Sequence, residues 1–268
     1  MAVDPPVSIY SGHGFNIQTM FNQTDIHGAW PTHPRLVLAS CDNRYFDQFA
    51  DRFRASFQKR MDLPVHLHLI NPTETQITLC EQWTVSHTVE YISPPELDRR
   101  VQWCIRNRNK SQALAQDDVI AGYSQAVRFW LLGRYQLPHQ SVVVADIDAV
   151  AVQSPTPEQL SALFSCTQFS IYKNRTMATF CVFVGNEIKT AQDISLWIEQ
   201  YDLKHSIHNA VDQSALKKCV LNPLALPSGW ISHDDTPTDK SVLRKVNRNI
   251  IFHSKGTRGK SIDLSQYL

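Results

Sequence analysis

Two aspartates, Asp146 and Asp148, follow an apolar run of three valines and an alanine and are separated only by Ile147. Because the side chains of a strand alternate between its two sides, both carboxylates would point the same way and repel each other. A lysine or arginine could balance them, as could a divalent cation, which prefers oxygen ligands. The competing interpretation is a turn with solvated aspartates. The buried strand before them favours the cation, since ligands of open α/β sheets gather at the carboxyl ends of strands.

The same residues resemble the nucleophile strand of haloacid-dehalogenase-type phosphatases, where the first aspartate is phosphorylated and the second acts as acid and base. That strand normally opens the core domain, whereas two strands and two helices are predicted before Asp146. The downstream acidic pair of such an enzyme would have to be Asp234 and Asp235. A phosphohydrolase is therefore the second hypothesis.

An alternating series of strands and helices must position the aspartates. Apolar runs predict buried strands over residues 35–40, 65–70 and 141–145. Between the first two, a helix capped by Asp42 or Asn43 carries phenylalanines on one face, namely Phe46, Phe49, Phe53 and Phe57. This order predicts a parallel β-α-β arrangement. Residues 34–268 are expected to form one α/β domain, preceded by an irregular arm of residues 1–33.

Further elements follow the same logic of periodicity and caps. Strands are predicted over residues 88–92, 169–172, 178–185 and 249–253. Helices are predicted over residues 119–131 and 188–201, and after the capping box formed by Thr156 and Gln159. The stretch 98–118, which is rich in arginine, asparagine and glutamine, is compatible with a helix or a mobile loop.

The composition excludes several classes of partner. Lysine and arginine number 26 against 25 acidic residues, so no charge excess indicates nucleic acid. The six cysteines form no Cys-x-x-Cys pair, which favours reduced thiols over disulfides or zinc. Neither a secretory leader nor an apolar run of about 18 residues is evident. The expected location is cytoplasmic, with docking on a membrane surface left open and no transmembrane segment.

Short motifs along the chain form an ordered series around the aspartates. They are Ala39-Ser40-Cys41-Asp42-Asn43-Arg44-Tyr45, Arg128, Asp146-Ile147-Asp148, Asp212-Gln213 and the terminal segment from His253 through Lys255 and Gly256 to Lys260. The series resembles the retaining glycosyltransferases of the GT-A fold, in particular family eight, which includes glycogenin and bacterial lipopolysaccharide galactosyltransferases. The expected fold is a Rossmann-like, mixed and mostly parallel sheet flanked by helices.

The resemblance also implies a donor site. Asp42 and Tyr45 would contact the base of the nucleotide, within the loop that begins at Ala39 and Ser40, although a plain helix cap is the simpler role for Asp42. Arg128 and Ile147 would belong to the same nucleotide-sugar site. In the terminal loop, Lys255, Gly256 and Lys260 would cover the diphosphate. The lysine stands one place later than in the family, and the usual Pro-Trp after it is missing.

The remaining motif residues would carry the chemistry. By the same resemblance, Asp146, Asp148 and His253 hold Mn²⁺ or Mg²⁺ on the diphosphate, and Asp212 and Gln213 lie beside the transferred sugar. The implied reaction moves a sugar, with retention, from a UDP-sugar donor to a hydroxyl of a glycan, a lipid-linked molecule or a protein. Whether Asp212 or Gln213 is a nucleophile or an electrostatic support stays open. A third hypothesis is a nucleotide-sugar-binding protein without catalysis.

Overall fold

A large central sheet organises the chain in the computed structural model, which describes residues 26–172, 175–205, 207–208, 210–234 and 248–254. Its strands are β1 (His27–Gly28), β2 (Arg35–Asp42), β3 (Val65–Ile70), β4 (Ser86–Glu90), β5 (Ser141–Ala145), β7 (Gln168–Tyr172) and β8 (Arg175–Phe183). They lie in the order β1-β4-β3-β2-β5-β8-β7. The four strands β4, β3, β2 and β5 are parallel, whereas β1, β8 and β7 pair with their neighbours in antiparallel fashion. The predicted mixed, mostly parallel sheet is confirmed.

A second, smaller sheet follows the aspartates. It consists of β6 (Val150–Ala151), β9 (Ile231–Asp234) and β10 (Ile251–Ser254). The central strand β10 is antiparallel to β6 and parallel to β9. The small sheet therefore brings the end of the described chain back to the turn that carries Asp146 and Asp148.

Helices cover the central sheet. They are α1 (Asn43–Tyr45), α2 (Asp51–Met61), α3 (Glu74–Gln82), α4 (Pro94–Arg108), α5 (Gln112–Tyr135), α6 (Pro157–Leu163), α7 (Ile188–Lys204) and α8 (Val211–Cys219). A π-helical stretch, Phe46–Ala50, joins α1 to α2. The predicted capping box at Thr156 and Gln159 is confirmed, and a second one, Thr73 with Gln76, starts α3. Among the described residues, no helix is both long and apolar enough to cross a membrane.

The core lies on both faces of the sheet, because the central strands are buried on both sides. Along β5, Val143 and Ala145 pack in the cluster that contains the phenylalanines of α2, whereas Val142 and Val144 pack in the cluster on the other face with α5 and α7. A strand buried on both faces is expected for a central parallel strand. Packing on both faces of β5 fixes the position from which the chain leaves the sheet at Asp146.

Several boundaries differ from the sequence predictions. The open stretch 98–118 is helical except for residues 109–111, which separate the end of α4 from the start of α5. The strand predicted over residues 88–92 is β4, two residues earlier, and β8 starts at Arg175 rather than at 178. Residues 27–28 form an edge strand against β4, while the role of residues 1–25 lies outside the described residues. The division of the chain at residues 33 and 34 stays a prediction.

Candidate functional site

Asp146, Asp148 and His253 converge at the carboxyl end of β5. One ligand atom from each residue lies within 4.8 Å of those of the other two. The two aspartates belong to the turn between β5 and β6, and His253 belongs to β10. The antiparallel register of β10 and β6, with Phe252 opposite Val150, brings the imidazole to that turn. Strand alternation predicted the facing carboxylates, and the small sheet supplies the third group.

The imidazole lies between the two carboxylates. Its Nε2 is 3.2 Å from Oδ2 of Asp146 and 3.4 Å from Oδ1 of Asp148. Burial alone would lower the pKa of His253, but its hydrogen bonds to the two aspartates raise that pKa to about 9. Burial likewise opposes ionisation of Asp146, but the adjacent Arg128 and then His253 lower its pKa below the ordinary value. At neutral pH the imidazolium of His253 and the guanidinium of Arg128 therefore balance the two carboxylates, and a metal ion would have to displace the imidazole proton to use all three residues as ligands.

Arg128 links this cluster to a second carboxylate. The residue is 2% exposed and belongs to α5. One terminal nitrogen lies 2.5 Å from Oδ1 of Asp146, and the other lies 3.2 Å from Oδ2 of Asp212. The second nitrogen also donates to the carbonyl oxygen of Ala178 at 3.1 Å. Arg128 is therefore a buried bridge between the two predicted motifs, Asp146-Ile147-Asp148 and Asp212-Gln213.

The Asp212-Gln213 motif begins α8, beside β8. Asp212 is buried, and burial raises its pKa although Arg128 acts in the opposite direction. The Gln213 amide, oriented with its nitrogen toward Thr176, donates to that carbonyl oxygen at 3.0 Å and accepts from the backbone nitrogen of Ala178 at 2.8 Å. Both polar atoms of this amide are engaged by β8. The sequence did not predict the contacts of Gln213 with Thr176 and Ala178, because they involve backbone atoms, which no sequence motif identifies.

The loop of Asp42 and Tyr45 lies at the same edge of the sheet, since β2 and β5 are neighbouring parallel strands. Asp42 accepts a hydrogen bond from the backbone nitrogen of Tyr45 at 2.8 Å, so it is the cap of α1. Its Oδ2 lies 3.5 Å from Arg44. The ring of Tyr45 packs against Phe49, with 5.5 Å between their centroids. The cap is confirmed, and contact with a nucleotide base stays a prediction.

The remaining predicted residues occupy different environments. Ala39 is fully buried within β2. The hydroxyl of Ser40 donates to the carbonyl oxygen of Ser124 on α5. Ile147 is buried and packs in the core cluster next to α2, as the alternation predicted. Lys255, Gly256 and Lys260 lie outside the described residues.

The donor set of the cluster suits a divalent cation. Two carboxylates and one imidazole, with ligand atoms within 4.8 Å of one another, offer the oxygen and nitrogen ligands that Mn²⁺ accepts and the oxygens that Mg²⁺ prefers. Arg128 contacts Oδ1 of Asp146, whereas Oδ2 of the same carboxylate faces His253. The residues present therefore fit such an ion.

The fold is shared with solved glycosyltransferases. The galactosyltransferase LgtC, in complex with donor and acceptor sugar analogues, is 14% identical, with a TM-score of 0.51 over 87% of this chain and 91% of LgtC. The apo form of the glycosyltransferase GlyE of Streptococcus pneumoniae TIGR4 is 12% identical, with a TM-score of 0.50 over 87% of this chain and 61% of GlyE. The predicted GT-A fold is confirmed.

A third structure extends well beyond this chain. The apo bifunctional glycosyltransferase WbbM is 12% identical, with a TM-score of 0.49, and the chain covers only 47% of its length. No protein-family model matches the sequence, and no curated protein sequence matches it.

Proposed function

We propose that the chain is a glycosyltransferase that moves a sugar from a nucleoside diphosphate to a hydroxyl group, with a UDP-sugar as the expected donor. The observation that carries the proposal is the convergence of Asp146, Asp148 and His253 at the carboxyl edge of a GT-A sheet. Ligands of open α/β sheets bind at this edge. A glycan, a lipid-linked molecule or a protein would supply the acceptor hydroxyl.

The donor would lie along the edge from β2 to β5. In the proposed arrangement, Tyr45 stacks on the base, and Oδ2 of Asp42, the oxygen that lies 3.5 Å from Arg44, accepts from it, next to Ala39 and Ser40. Lys255, Gly256 and Lys260 are proposed to contact the diphosphate and to keep water away from it. The neighbouring parallel strands β2 and β5 support this arrangement, because they bring both motifs to one edge.

The proposed metal site is the cluster of Asp146, Asp148 and His253, next to Ile147. A divalent cation bound there, Mn²⁺ or Mg²⁺, would act as a Lewis acid that stabilises the charge of the leaving diphosphate. The chain's own contribution is to hold the two carboxylates in place. Arg128 does so for Asp146 through a contact of 2.5 Å.

Asp212 and Gln213 are proposed to lie beside the transferred sugar. Asp212 is held by Arg128, and the Gln213 amide is held at both ends by β8. These contacts favour electrostatic support of the reaction centre over attack by the Gln213 oxygen, because that oxygen already accepts a hydrogen bond. Retention of the anomeric configuration is part of the proposal and rests on the family resemblance.

Calorimetry with UDP, in the presence and absence of Mn²⁺, tests the donor and the metal together. Wild-type protein is expected to bind UDP only with the cation. Asp148→Asn and His253→Gln are expected to weaken that binding at least about tenfold, since each removes one ligand. The matched control is Asp193→Asn, which removes an exposed carboxylate paired with Lys189 on α7.

Three results would separate the hypotheses. Metal-independent binding, or equal affinity of Asp148→Asn and wild type, contradicts the proposed site. Release of free sugar from one member of a panel of UDP-sugars is expected of an enzyme, whereas binding without release would indicate a non-catalytic protein. A trapped phosphoenzyme at Asp146 would instead support the phosphohydrolase.

A further inference from the structure

A surface cavity of about 370 Å³ is lined by the π-helical stretch, α2 and α3, where none of the sequence motifs predicts a site. Two of its residues belong to the π-helical stretch, two to the first turn of α2, one to α3 and one to the position after α3. They are Phe46, Asp47, Asp51, Arg54, Leu79 and Trp83. The cavity shares no residue with the cluster of Asp146, Asp148 and His253. Its volume lies in the range of small-ligand sites, which begins at about 300 Å³.

The backbone around the cavity is held in place without a ligand. A π-helical turn is rare and often lies at a functional site, and here it interrupts the helix that the phenylalanine spacing predicted. The side-chain nitrogen of Gln76 donates to the carbonyl oxygen of Asn43 at 2.9 Å and to Oδ1 of Asp47 at 2.7 Å. Gln76 is itself buried and belongs to the capping box of α3. The cavity is therefore preorganised, which lowers the cost of binding.

Aromatic rings form the apolar wall of the cavity. Phe46 and Trp83 stack on each other, with 5.6 Å between their centroids and 12° between their planes. Leu79 stands one helical turn before Trp83, whose backbone nitrogen donates to the Leu79 carbonyl oxygen at 2.9 Å. The guanidinium carbon of Arg54 lies 4.6 Å from the centroid of Trp83. The place that a cationic ligand would take over this ring is thus already occupied by the protein's own cation.

The polar wall carries charges of both signs. Nε of Arg54 donates to Oδ1 of Asp51 at 3.0 Å, and a terminal nitrogen lies 2.5 Å from the same oxygen. Among the described residues, the other terminal nitrogen of Arg54 and the Oδ2 atoms of Asp47 and Asp51 have no hydrogen-bond partner. An anion would face two carboxylates here. A hydroxyl group can bind to either kind of atom, because it both donates and accepts. The polar wall therefore favours a neutral ligand with several hydroxyl groups.

We propose that this cavity is a saccharide-binding site, which holds one sugar unit of a glycan acceptor outside the reaction centre. A sugar ring combines a C–H face, which suits the aromatic wall, with hydroxyl groups, which suit the polar wall. The identification of the saccharide as an acceptor rests on the proposed function, whereas its chemistry rests on the cavity itself. Binding at two places on one glycan raises the affinity for acceptors of several sugar units, because the second contact is intramolecular.

The test follows the indole N–H signals of the six tryptophans by NMR, with Trp83→Phe identifying the signal of Trp83. The methyl glycosides of glucose, galactose, mannose and N-acetylglucosamine are titrated without nucleotide or metal. At least one should shift the Trp83 signal with a dissociation constant of about 1–10 mM, ordinary for so small a ligand. Arg54→Gln and Asp51→Asn should each weaken this binding about three- to tenfold, the contribution of one hydrogen bond. The matched control, Asp193→Asn, alters an exposed ion pair of α7 and should change nothing.

The outcomes separate the cavity from the reaction centre. If none of the four glycosides shifts the Trp83 signal, the proposal is overturned, and a shift that persists unchanged in Arg54→Gln and Asp51→Asn overturns it as well. Asp148→Asn should bind the glycoside like wild type, and loss of binding there would contradict a separate site. If UDP fails to bind with Mn²⁺, the proposed function fails, while a Trp83 shift still supports a saccharide site. If UDP binds and the glycosides do not, only the cavity assignment falls.

Discussion

Replacing Arg128 by methionine should destabilise the protein strongly. Methionine preserves much of the length of the side chain but leaves Asp146 and Asp212 without the cation that contacts them at 2.5 and 3.2 Å. The arginine is 2% exposed, so water cannot take its place. Removing one partner of a buried ion pair typically costs 3–5 kcal/mol. We therefore expect Arg128→Met to lower the free energy of unfolding by about 3–5 kcal/mol at pH 7.

A double-mutant cycle isolates the bridge from other losses. Asp212→Asn removes a charge but keeps the shape, and it should cost about 1.5–3 kcal/mol, the contribution of a hydrogen bond to a charged group. In Arg128→Met/Asp212→Asn, position 212 no longer carries a buried negative charge. The double variant should therefore be more stable than the sum of the two changes predicts, by about 1–3 kcal/mol.

The pH dependence gives an independent check on the same variants. Without Arg128, the folded-state pKa values of Asp146 and Asp212 should rise above those of the unfolded chain. A group with a raised carboxyl pKa destabilises the fold above that pKa and ceases to do so as the pH falls through it. The deficit of Arg128→Met should therefore shrink between pH 7 and pH 4.

Denaturant unfolding, followed by tryptophan fluorescence with EDTA present, measures all of these quantities. Two results would refute the reasoning. The first is an Arg128→Met variant within about 1 kcal/mol of wild type at pH 7, well below the expected cost of an orphaned buried charge. The second is strict additivity in the cycle, which would mean that Arg128 and Asp212 act independently.

Two further substitutions test packing and burial away from the cluster. Gly133→Ala should lower the free energy of unfolding by about 1–3 kcal/mol, although alanine favours helices. The added Cβ would lie 2.4 Å from the Cβ of Ser195 and 2.6 Å from the carbonyl oxygen of Ala191. An unchanged or higher urea midpoint would contradict this close contact between helices. Burial lowers the pKa of His66 to about 3, with a smaller contribution from the neighbouring histidines. The stability contributed by its neutral form is therefore complete above pH 6.5 and is lost as the pH falls below that value. His66→Gln should therefore lose less stability than wild type between pH 7 and pH 5, by about 1.4 kcal/mol per pH unit at most, and identical urea profiles would count against the buried neutral imidazole.

Part of the site was predictable because strand alternation is a local rule. It predicted that Asp146 and Asp148 face the same side and that Ile147 faces the core; the aspartates lie in the turn after β5 rather than on the strand itself, and Ile147 is buried as predicted. The partners of the aspartates depend on tertiary structure and were less accessible. The family resemblance singled out Arg128 as part of the nucleotide-sugar site, but its contact with Asp212 joins residues 84 positions apart. That contact was not anticipated.

The polar region around α4 was ambiguous for a different reason. Only three residues of this helix are buried, and one of them is Arg100. It forms an ion pair with Asp202, a buried residue of α7 that lies 102 positions later. The fully buried face of this helix offers only two apolar residues, Val101 and Cys104, beside the arginine. The sequence therefore could not distinguish it from a loop, since the acidic partner that permits burial is distant.

The short strands β1, β6 and β9 escaped prediction because two to four residues carry no periodicity. Their positions are set by partners instead: β1 by β4, and both β6 and β9 by β10. The small sheet has a functional consequence, since without it His253 would have no defined position opposite the aspartates. The family resemblance supplied this histidine, whereas periodicity alone predicted only a strand at residues 249–253.

The end of β5 explains why the two motifs are joined. The pairing of β5 with β8 ends at Ala145, opposite Phe180, although β8 begins at Arg175, and one more backbone hydrogen bond follows, from Asp146 to Thr179 at 3.0 Å. Beyond that point, side chains take over as partners of the β8 backbone: Gln213 contacts residues 176 and 178, and Arg128 also contacts residue 178. Buried backbone groups must be paired, so the exit of the chain at the aspartates requires such substitutes. Gln213 would have to give up this pairing to attack a sugar, and this favours its proposed role as a support of the reaction centre.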